Sequence, residues 1–238
     1  MPKKNRIGII PARLHSKRLP KKILANIIGI PMVIRTARQA SKCKKLDRVI
    51  IAIDDDETYQ NLKTFNCELV MTSNKHKSGT DRIAEVVRNI ENIKDTDIII
   101  NIQADEPFID PELIDMLVEK HCSNTSIEMS TLISTQIELE DYDNENIVKA
   151  FLDEDNFAID FRRTGISTYK HLGIYGFTKK TLSDFVDFDQ ADSEKSRSLE
   201  QMRALDNGIK IKAVITNKDS LSINTFEDLA HIKSDNKV

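Results

Sequence analysis

Short apolar runs alternate with helix-patterned stretches through the first half of the chain. Arg6–Ile10 is apolar after its first residue and ends at Pro11, Arg48–Ile53 reads RVIIAI, and Asp97–Gln103 reads DIIINIQ, with a shorter run at Glu68–Met71. Ile- and Val-rich runs of this length predict buried strands. Between them, apolar positions recur with helical period over Met32–Ser41, from the Asp54-Asp55-Asp56 turn through about Phe65, over Asp81–Ile93, and over Pro111–Cys122. In the third stretch Ile83, Val86, Val87 and Ile90 share one face, and Ser78 or Thr80 stands where an N-cap is needed. Strands alternating with helices in this way predict an α/β fold, a mostly parallel central sheet covered on both faces.

The second half is less regular. Ile127–Ile133, Ile147–Leu152, Tyr169–Phe177 and Ile209–Ile215 read as strands, and Lys180–Val186, Glu194–Leu205 and Phe226–Lys233 as helices. There is no internal repeat, linker or low-complexity tract. Residues 1–238 are therefore expected to form one domain, with a small β-rich subdomain inserted around 135–170.

Composition narrows the class. With 238 residues, 39% hydrophobic and 31% charged, the chain can bury a substantial core and is too apolar for disorder. No apolar run approaches the ~18 residues of a membrane span. The N-terminal MPKKNRIGIIPARL has only Ile7 to Ile10 as an apolar stretch before Pro11, too short for a signal peptide. Cys43, Cys67 and Cys122 form no C-x-x-C pair, so neither disulfides nor a structural zinc is expected. A cytoplasmic protein without membrane partners is the expectation.

Charge changes the picture. The net charge of −3 hides fourteen Lys/Arg against one acid in residues 1–48, and a net of −16 in the remainder. Arg35, Arg38, Lys42, Lys44 and Lys45 lie at mostly helical spacing, which reads as a solvated face. The earlier cluster lies between a strand and a helix. Arg13, Lys17, Arg18, Lys21 and Lys22 place five cations in the loop that follows the first strand. No G-x-x-x-x-G-K-[ST], G-x-G-x-x-G or G-x-S-x-G occurs, so Walker-type hydrolysis, Rossmann dinucleotide binding and a serine nucleophile elbow are not expected. No RNA- or DNA-binding motif or aromatic platform accompanies the basic segment, which argues against nucleic acid.

In parallel sheets ligands bind beyond the carboxyl ends of the strands, and three predicted strands end in functional loops: Pro11–Lys22, Asp54–Asp56 and Gln103–Pro107. Clustered Arg and Lys can hold a polyphosphate and stabilise a leaving pyrophosphate. Asp105, at the end of a buried strand, is placed as a Mg²⁺ ligand of the kind that shares the ion with substrate phosphates. A solvated loop has the same charge and a turn aspartate the same position. Together, however, the two features point to nucleotidyl transfer.

Five blocks then carry a resemblance. IIPARLHSKRLPKK, MTSNKHKSGTDRIAE at 71–85, NIQADEPFI at 101–109, KHLGIYGF at 170–177 and LEQMRAL at 199–205 resemble, in order and spacing, the 3-deoxy-manno-octulosonate (Kdo) cytidylyltransferases. The resemblance implies a Rossmann-like nucleotidyltransferase fold of the nucleotide-diphospho-sugar transferase type. It also implies CMP transfer from CTP to Kdo for lipopolysaccharide synthesis, with Mg²⁺, by a cytoplasmic homodimer. By the same resemblance Arg13, Ser16, Arg18 and Lys22 would hold CTP, with Arg13, Lys22 and Asp105 catalytic. Thr72, Ser78, Gly79, Arg82 and Gln103 would bind the nucleotide. Gln103, Arg163, His171, Glu200 and Gln201 would line the sugar-acid site. Asp105 would ligate the metal, and Asn224 occupies the position of a second ligand.

Four departures mark this chain. Ala104 replaces the usual glycine before Asp105, and Asn224 replaces the usual aspartate in a Val-Asp-Thr-x-Glu-Asp motif. Asp160-Phe161-Arg162-Arg163 replaces Tyr-Phe-Ser-Arg, and the stretch between Arg163 and Tyr169 is short. They leave two alternatives: a cytidylyltransferase for another acid (8-amino-Kdo or a nonulosonic acid), or a degenerate homologue that still holds CTP.

Overall fold

The computed structural model describes residues 4–16 and 18–234; Lys17 of the basic loop lies outside them. The first half runs β1 (Arg6–Ala12), β2 (Asn26–Ile27), β3 (Ile30–Pro31), α1 (Met32–Ala40), β4 (Arg48–Ile53), α2 (Asp56–Leu62), β5 (Glu68–Met71), α3 (Gly79–Asn89), β6 (Ile98–Asn101) and α4 (Pro111–Ser123). There follow β7 (Met129–Ser134), β8 (Lys149–Leu152), β9 (Ala158–Arg162), β10 (Lys170–Thr178), α5 (Lys179–Asp187), α6 (Asp192–Arg197), α7 (Gln201–Asp206), β11 (Ile211–Thr216) and α8 (Phe226–Ser234). The architecture is α/β with a mostly parallel central sheet, as the alternation predicts. Two compact units are formed, one by residues 6–92, 101–114 and 220 onward, the other by residues up to Asn5, 93–100 and 115–219.

In the first unit β4 lies between β1 and β5, all parallel. The register aligns Ala12 with Ile53 and Ile53 with Met71, so the three strands end level. Whatever follows them, Arg13-Leu14, Asp54 and Thr72, emerges at one edge. β1 continues through Pro11 rather than ending there, since the proline ring's fixed φ fits extended backbone near a strand end. Helix α3 begins at a capping box: Ser78 Oγ accepts the Asp81 N–H and Asp81 accepts the Ser78 N–H, both at 3.1 Å. It ends at Asn89, short of the expected Ile93, because Ile90 turns extended and Asn92 takes left-handed backbone.

In the second unit β11 pairs parallel with β7, and β10 pairs antiparallel with its other side. β8 and β9 form an antiparallel hairpin joined to β10 through Lys149 and Lys170. The single helix expected over Glu194–Leu205 is two, α6 and α7, broken where Ser198 adopts left-handed backbone (φ 53°). The cause is a buried ion pair: Arg203 Nη2 meets Glu194 Oε1 at 2.6 Å. Residues nine apart on a straight helix stand about 13 Å apart along its axis, so the pair closes only if the helix folds back.

Candidate active site

The level strand ends of the first unit carry a buried polar hub. Asp54, directly after β4, accepts the Leu14 N–H on Oδ1 (3.0 Å) and the Arg82 guanidinium on Oδ2 (2.8 Å). Arg82 Nη1 also donates to Thr72 Oγ1 at 2.6 Å, and that hydroxyl donates to the Ile53 carbonyl at 2.7 Å. Burial pulls the Arg82 pKa below the usual guanidinium value; Asp54 opposes this, and the charge of Arg13 adds to it. Leu14, Asp54, Thr72 and Arg82 thus clamp the start of the basic loop to three strand ends. Ser78 and Gly79 begin α3 beside it. A Cβ at Gly79 would stand 3.1 Å from Pro11 Cγ, so the absence of a side chain lets the helix start close to β1. The sequence marks Asp54–Asp56 as a functional strand-end loop, but only the contacts of Asp54 with Leu14 and Arg82 give that residue its anchoring part.

Arg13 itself is exposed, Ser16 is half-buried, and Leu19 is buried within the loop. Leu19 packs with Ile27, Met32 and Ile223, with Phe108, Leu229 and Ile232 against them. Burying a leucine of this kind contributes roughly 2 kcal/mol, and here it binds the cationic loop to the segment that carries Asn224. Lys21 takes left-handed backbone (φ 54°), and its ammonium pairs with Glu57 at 2.5 Å. The next side chain, Lys22, points elsewhere. Its Nζ lies 2.6 Å from Asp105 Oδ2 and 3.2 Å from Asn224 Oδ1. Arg18 Nη2 reaches the same Asn224 oxygen at 3.0 Å.

Asp105 is held from behind. Its carbonyl accepts the Ile223 N–H at 2.9 Å, which brings Asn224 alongside, and the Ala104 carbonyl accepts from Thr36 Oγ1 at 3.1 Å. Asn224 is oriented by Nδ2 donating to Ser222 Oγ (2.9 Å) and by its own N–H on Asp228 (2.7 Å). Gln103 is half-buried, with Nε2 3.4 Å from Asn101 Oδ1. Two hard oxygen donors therefore converge on one cationic atom, the Lys22 ammonium, which stands in for a cation. That donor set fits a hard divalent ion sharing its remaining positions with phosphates and water. Among the described residues no group of three His, Cys, Asp or Glu could hold a metal alone.

Of the expected sugar-acid residues, Gln103 belongs to the first unit, and Arg163, His171, Glu200 and Gln201 lie in the second. β10 bulges between His171 and Tyr175, where Gly173 has φ +72°, a conformation side chains rarely tolerate. The His171 ring lies 5.0 Å from that of Phe161 and 5.2 Å from that of Tyr175. Thr131 Oγ1 donates to the Ile174 carbonyl (2.8 Å), so the 2.8 Å contact with His171 Nε2 requires the imidazole to donate, leaving Nδ1 as its acceptor. Burial lowers the His171 pKa to about 3 and keeps the ring neutral. Burial and then the Glu200 charge hold the Tyr175 phenol protonated, and its hydroxyl donates to Gln201 Oε1 at 3.1 Å. Gln201 Nε2 is buried with no partner among the described residues, a donor placed to receive an acceptor. Glu200 stands at the N-cap of α7. Arg163 donates to three backbone carbonyls, of Glu145 (2.8 Å), Arg197 (3.0 Å) and Ser198 (3.0 Å), capping the break between α6 and α7.

A cationic loop that follows the first of three parallel strands, is fixed at its start by a buried hub and sets Lys22 on an aspartate and an amide oxygen, is the arrangement of a nucleotidyltransferase of the α/β class. The cytidylyltransferase family model matches residues 7–211. The chain belongs to the 3-deoxy-manno-octulosonate cytidylyltransferase family. It is 38% identical to the enzymes of that name from Chloroherpeton thalassium, over 95% of each chain, and Thermodesulfovibrio yellowstonii, over 94% of each. A solved CMP:2-keto-3-deoxy-manno-octonic acid synthetase complexed with CTP is similar over 98% of both chains, with 30% identity and a TM-score of 0.90. A cytidylyltransferase from Leptospira borgpetersenii, at 21% identity and a TM-score of 0.66, shares the fold. No helix among the described residues is long and apolar enough to cross a membrane.

Proposed function

We propose that the protein transfers CMP from CTP to the anomeric hydroxyl of 3-deoxy-manno-octulosonate and releases pyrophosphate, working as a homodimer. The observation that carries this reading is the convergence of Lys22 and Arg18 with Asp105 and Asn224 beyond the parallel strand ends, in a chain whose curated relatives bear that activity as their name.

The anomeric oxygen attacks the α-phosphorus, the bond from that phosphorus to the bridging oxygen of the β-phosphate breaks and its electron pair leaves with pyrophosphate, and the hydroxyl proton passes to solvent water. No protein nucleophile is needed, so catalysis is positioning and charge stabilisation. Arg13, Ser16, Arg18 and Lys22 hold the phosphates, and Lys22 with Arg13 offsets the charge that grows on departing pyrophosphate. Thr72, Ser78, Gly79 and Arg82 shape the nucleotide side, and Gln103 binds near the reacting groups. Asp105, with Asn224 as a neutral second donor, would hold Mg²⁺, which when bound withdraws charge from the α-phosphate and favours the ionised hydroxyl. His171 binds the sugar acid through its Nδ1 acceptor and does not act as a base, because a pKa of about 3 leaves it too weak. Gln201 Nε2 donates to the acid, with Glu200 and Arg163 completing that side.

The test is pyrophosphate release by purified protein with CTP, Mg²⁺ and a panel holding Kdo, 8-amino-Kdo and a nonulosonic acid. Release with Kdo supports the proposal. Release with another acid alone reassigns the substrate, and silence across the panel with CTP binding intact identifies a degenerate homologue.

A further inference from the structure

We infer that Lys22 is the resident occupant of the divalent-cation position, so that nucleotide and metal bind as an exchange of partners rather than independently; this rests on the CMP-transfer reading. The ammonium sits between Asp105 Oδ2 and Asn224 Oδ1, at 2.6 and 3.2 Å, and Arg18 shares the Asn224 oxygen at 3.0 Å. The side chains of Lys22 and Asp105 are only 16% and 19% exposed, so water screens the pair weakly. The oxygens that suit a metal and the cations that suit a triphosphate therefore satisfy each other.

A divalent ion arriving alone must expel Lys22 with no anion to receive it. A triphosphate arriving alone must draw Lys22 away and leave the Asp105 carboxylate beside incoming negative charge. Arriving together, each supplies what the other displaces: Lys22 and Arg18 pass to phosphate oxygens, Asp105 and Asn224 to the ion. No covalent bond changes. The amide at 224 suits this exchange, because a neutral oxygen releases its two cationic donors more readily than a carboxylate would. By linkage, metal tightens nucleotide binding by the same factor that nucleotide tightens metal.

The test is Mn²⁺ binding to the full chain without nucleotide, followed by electron paramagnetic resonance. Lys22→Met is expected to bind Mn²⁺ roughly tenfold more tightly than the natural chain, a coupling of ordinary size. Lys21→Met removes the same charge from a residue that pairs with Glu57, and it should leave the affinity unchanged. Asp105→Asn in the Lys22→Met background should lose the gain, and Lys22→Gln guards against a folding defect in the methionine variant. Equal Mn²⁺ affinity in the natural chain and both Lys22 variants overturns the exchange, as does an equal gain in Lys21→Met. Calorimetry of CTP with Mn²⁺ addresses the underlying reading separately: absent CTP binding by the natural chain sinks CMP transfer, whatever Lys22 does.

Discussion

Arg82 and Asp54 form an ion pair of 2.8 Å in which the side chains are only 3% and 9% exposed. The pair joins the end of β4 to α3, and through the Leu14 N–H it also fixes the first residues of the basic loop. Removing one partner strands the other charge in a nearly dry site. Arg82→Leu is expected to cost about 3–5 kcal/mol in urea unfolding, and Asp54→Asn with Arg82→Met less than the single change. A single variant that loses under 1 kcal/mol would show that the hub does not hold the loop.

Asn224→Asp places a carboxylate where two cations and a neutral oxygen now meet. A second charged donor strengthens a hard-cation site. With CTP saturating, so that Lys22 and Arg18 have passed from position 224 to the phosphates, the Mg²⁺ concentration giving half-maximal pyrophosphate release should therefore fall severalfold. Unchanged metal dependence would count against position 224 as part of the metal site.

Two histidines make stability depend on pH. Burial lowers His121 to about 4 and His171 to about 3, whereas an unfolded histidine titrates near 6.5. Between pH 6.5 and 4 the unfolded chain binds the protons that the folded chain refuses, so stability is full above pH 6.5 and falls as the solution is acidified. The slope is about 1.4 kcal/mol per pH unit for each histidine. Urea unfolding at several pH values measures it, and His121→Gln should remove about half of this contribution. A slope untouched by that change refutes the assignment.

Gly176 leaves no room for a side chain: a Cβ there would lie 2.8 Å from Ser130 Oγ and 2.9 Å from His121 Nε2, which are themselves hydrogen bonded at 2.9 Å. Gly176→Ala is expected to lower stability by about 1–3 kcal/mol, the usual range for overpacking. A melting temperature equal to that of the natural chain would contradict this packing.

Much of the fold was legible because burial and period report it locally. The sequence bounds of β4 and β5 are those of the structure, and α1, α4, α5 and α8 lie within a residue or so of their expected limits. β9 has no local sequence signal, because AIDFR mixes apolar and charged positions; Asp160 meets Arg162 and Arg197, and no run of apolar residues marks it. The break between α6 and α7 is silent in the sequence for another reason. Helical spacing continues through Ser198, and only the Glu194–Arg203 pair requires the fold-back. At the candidate site the cationic loop and Asp105 could be picked out by charge and by their places after strands. The capping role of Arg163 on three carbonyls could not, since those carbonyls come from Glu145 and from the helix break.

From its amino acids alone the chain determined an α/β alternation, a basic turn behind its first strand and an acidic end behind a later one, because period, apolar runs and charge are properties of neighbouring residues. Tertiary structure decided that Lys22 rests on Asp105 and Asn224, that Asp54 after β4 rather than a residue of the basic turn itself anchors that turn, and that His171 is held neutral. Those outcomes depend on which strand ends finish level and which groups lose their water, and both follow from contacts between residues distant along the chain.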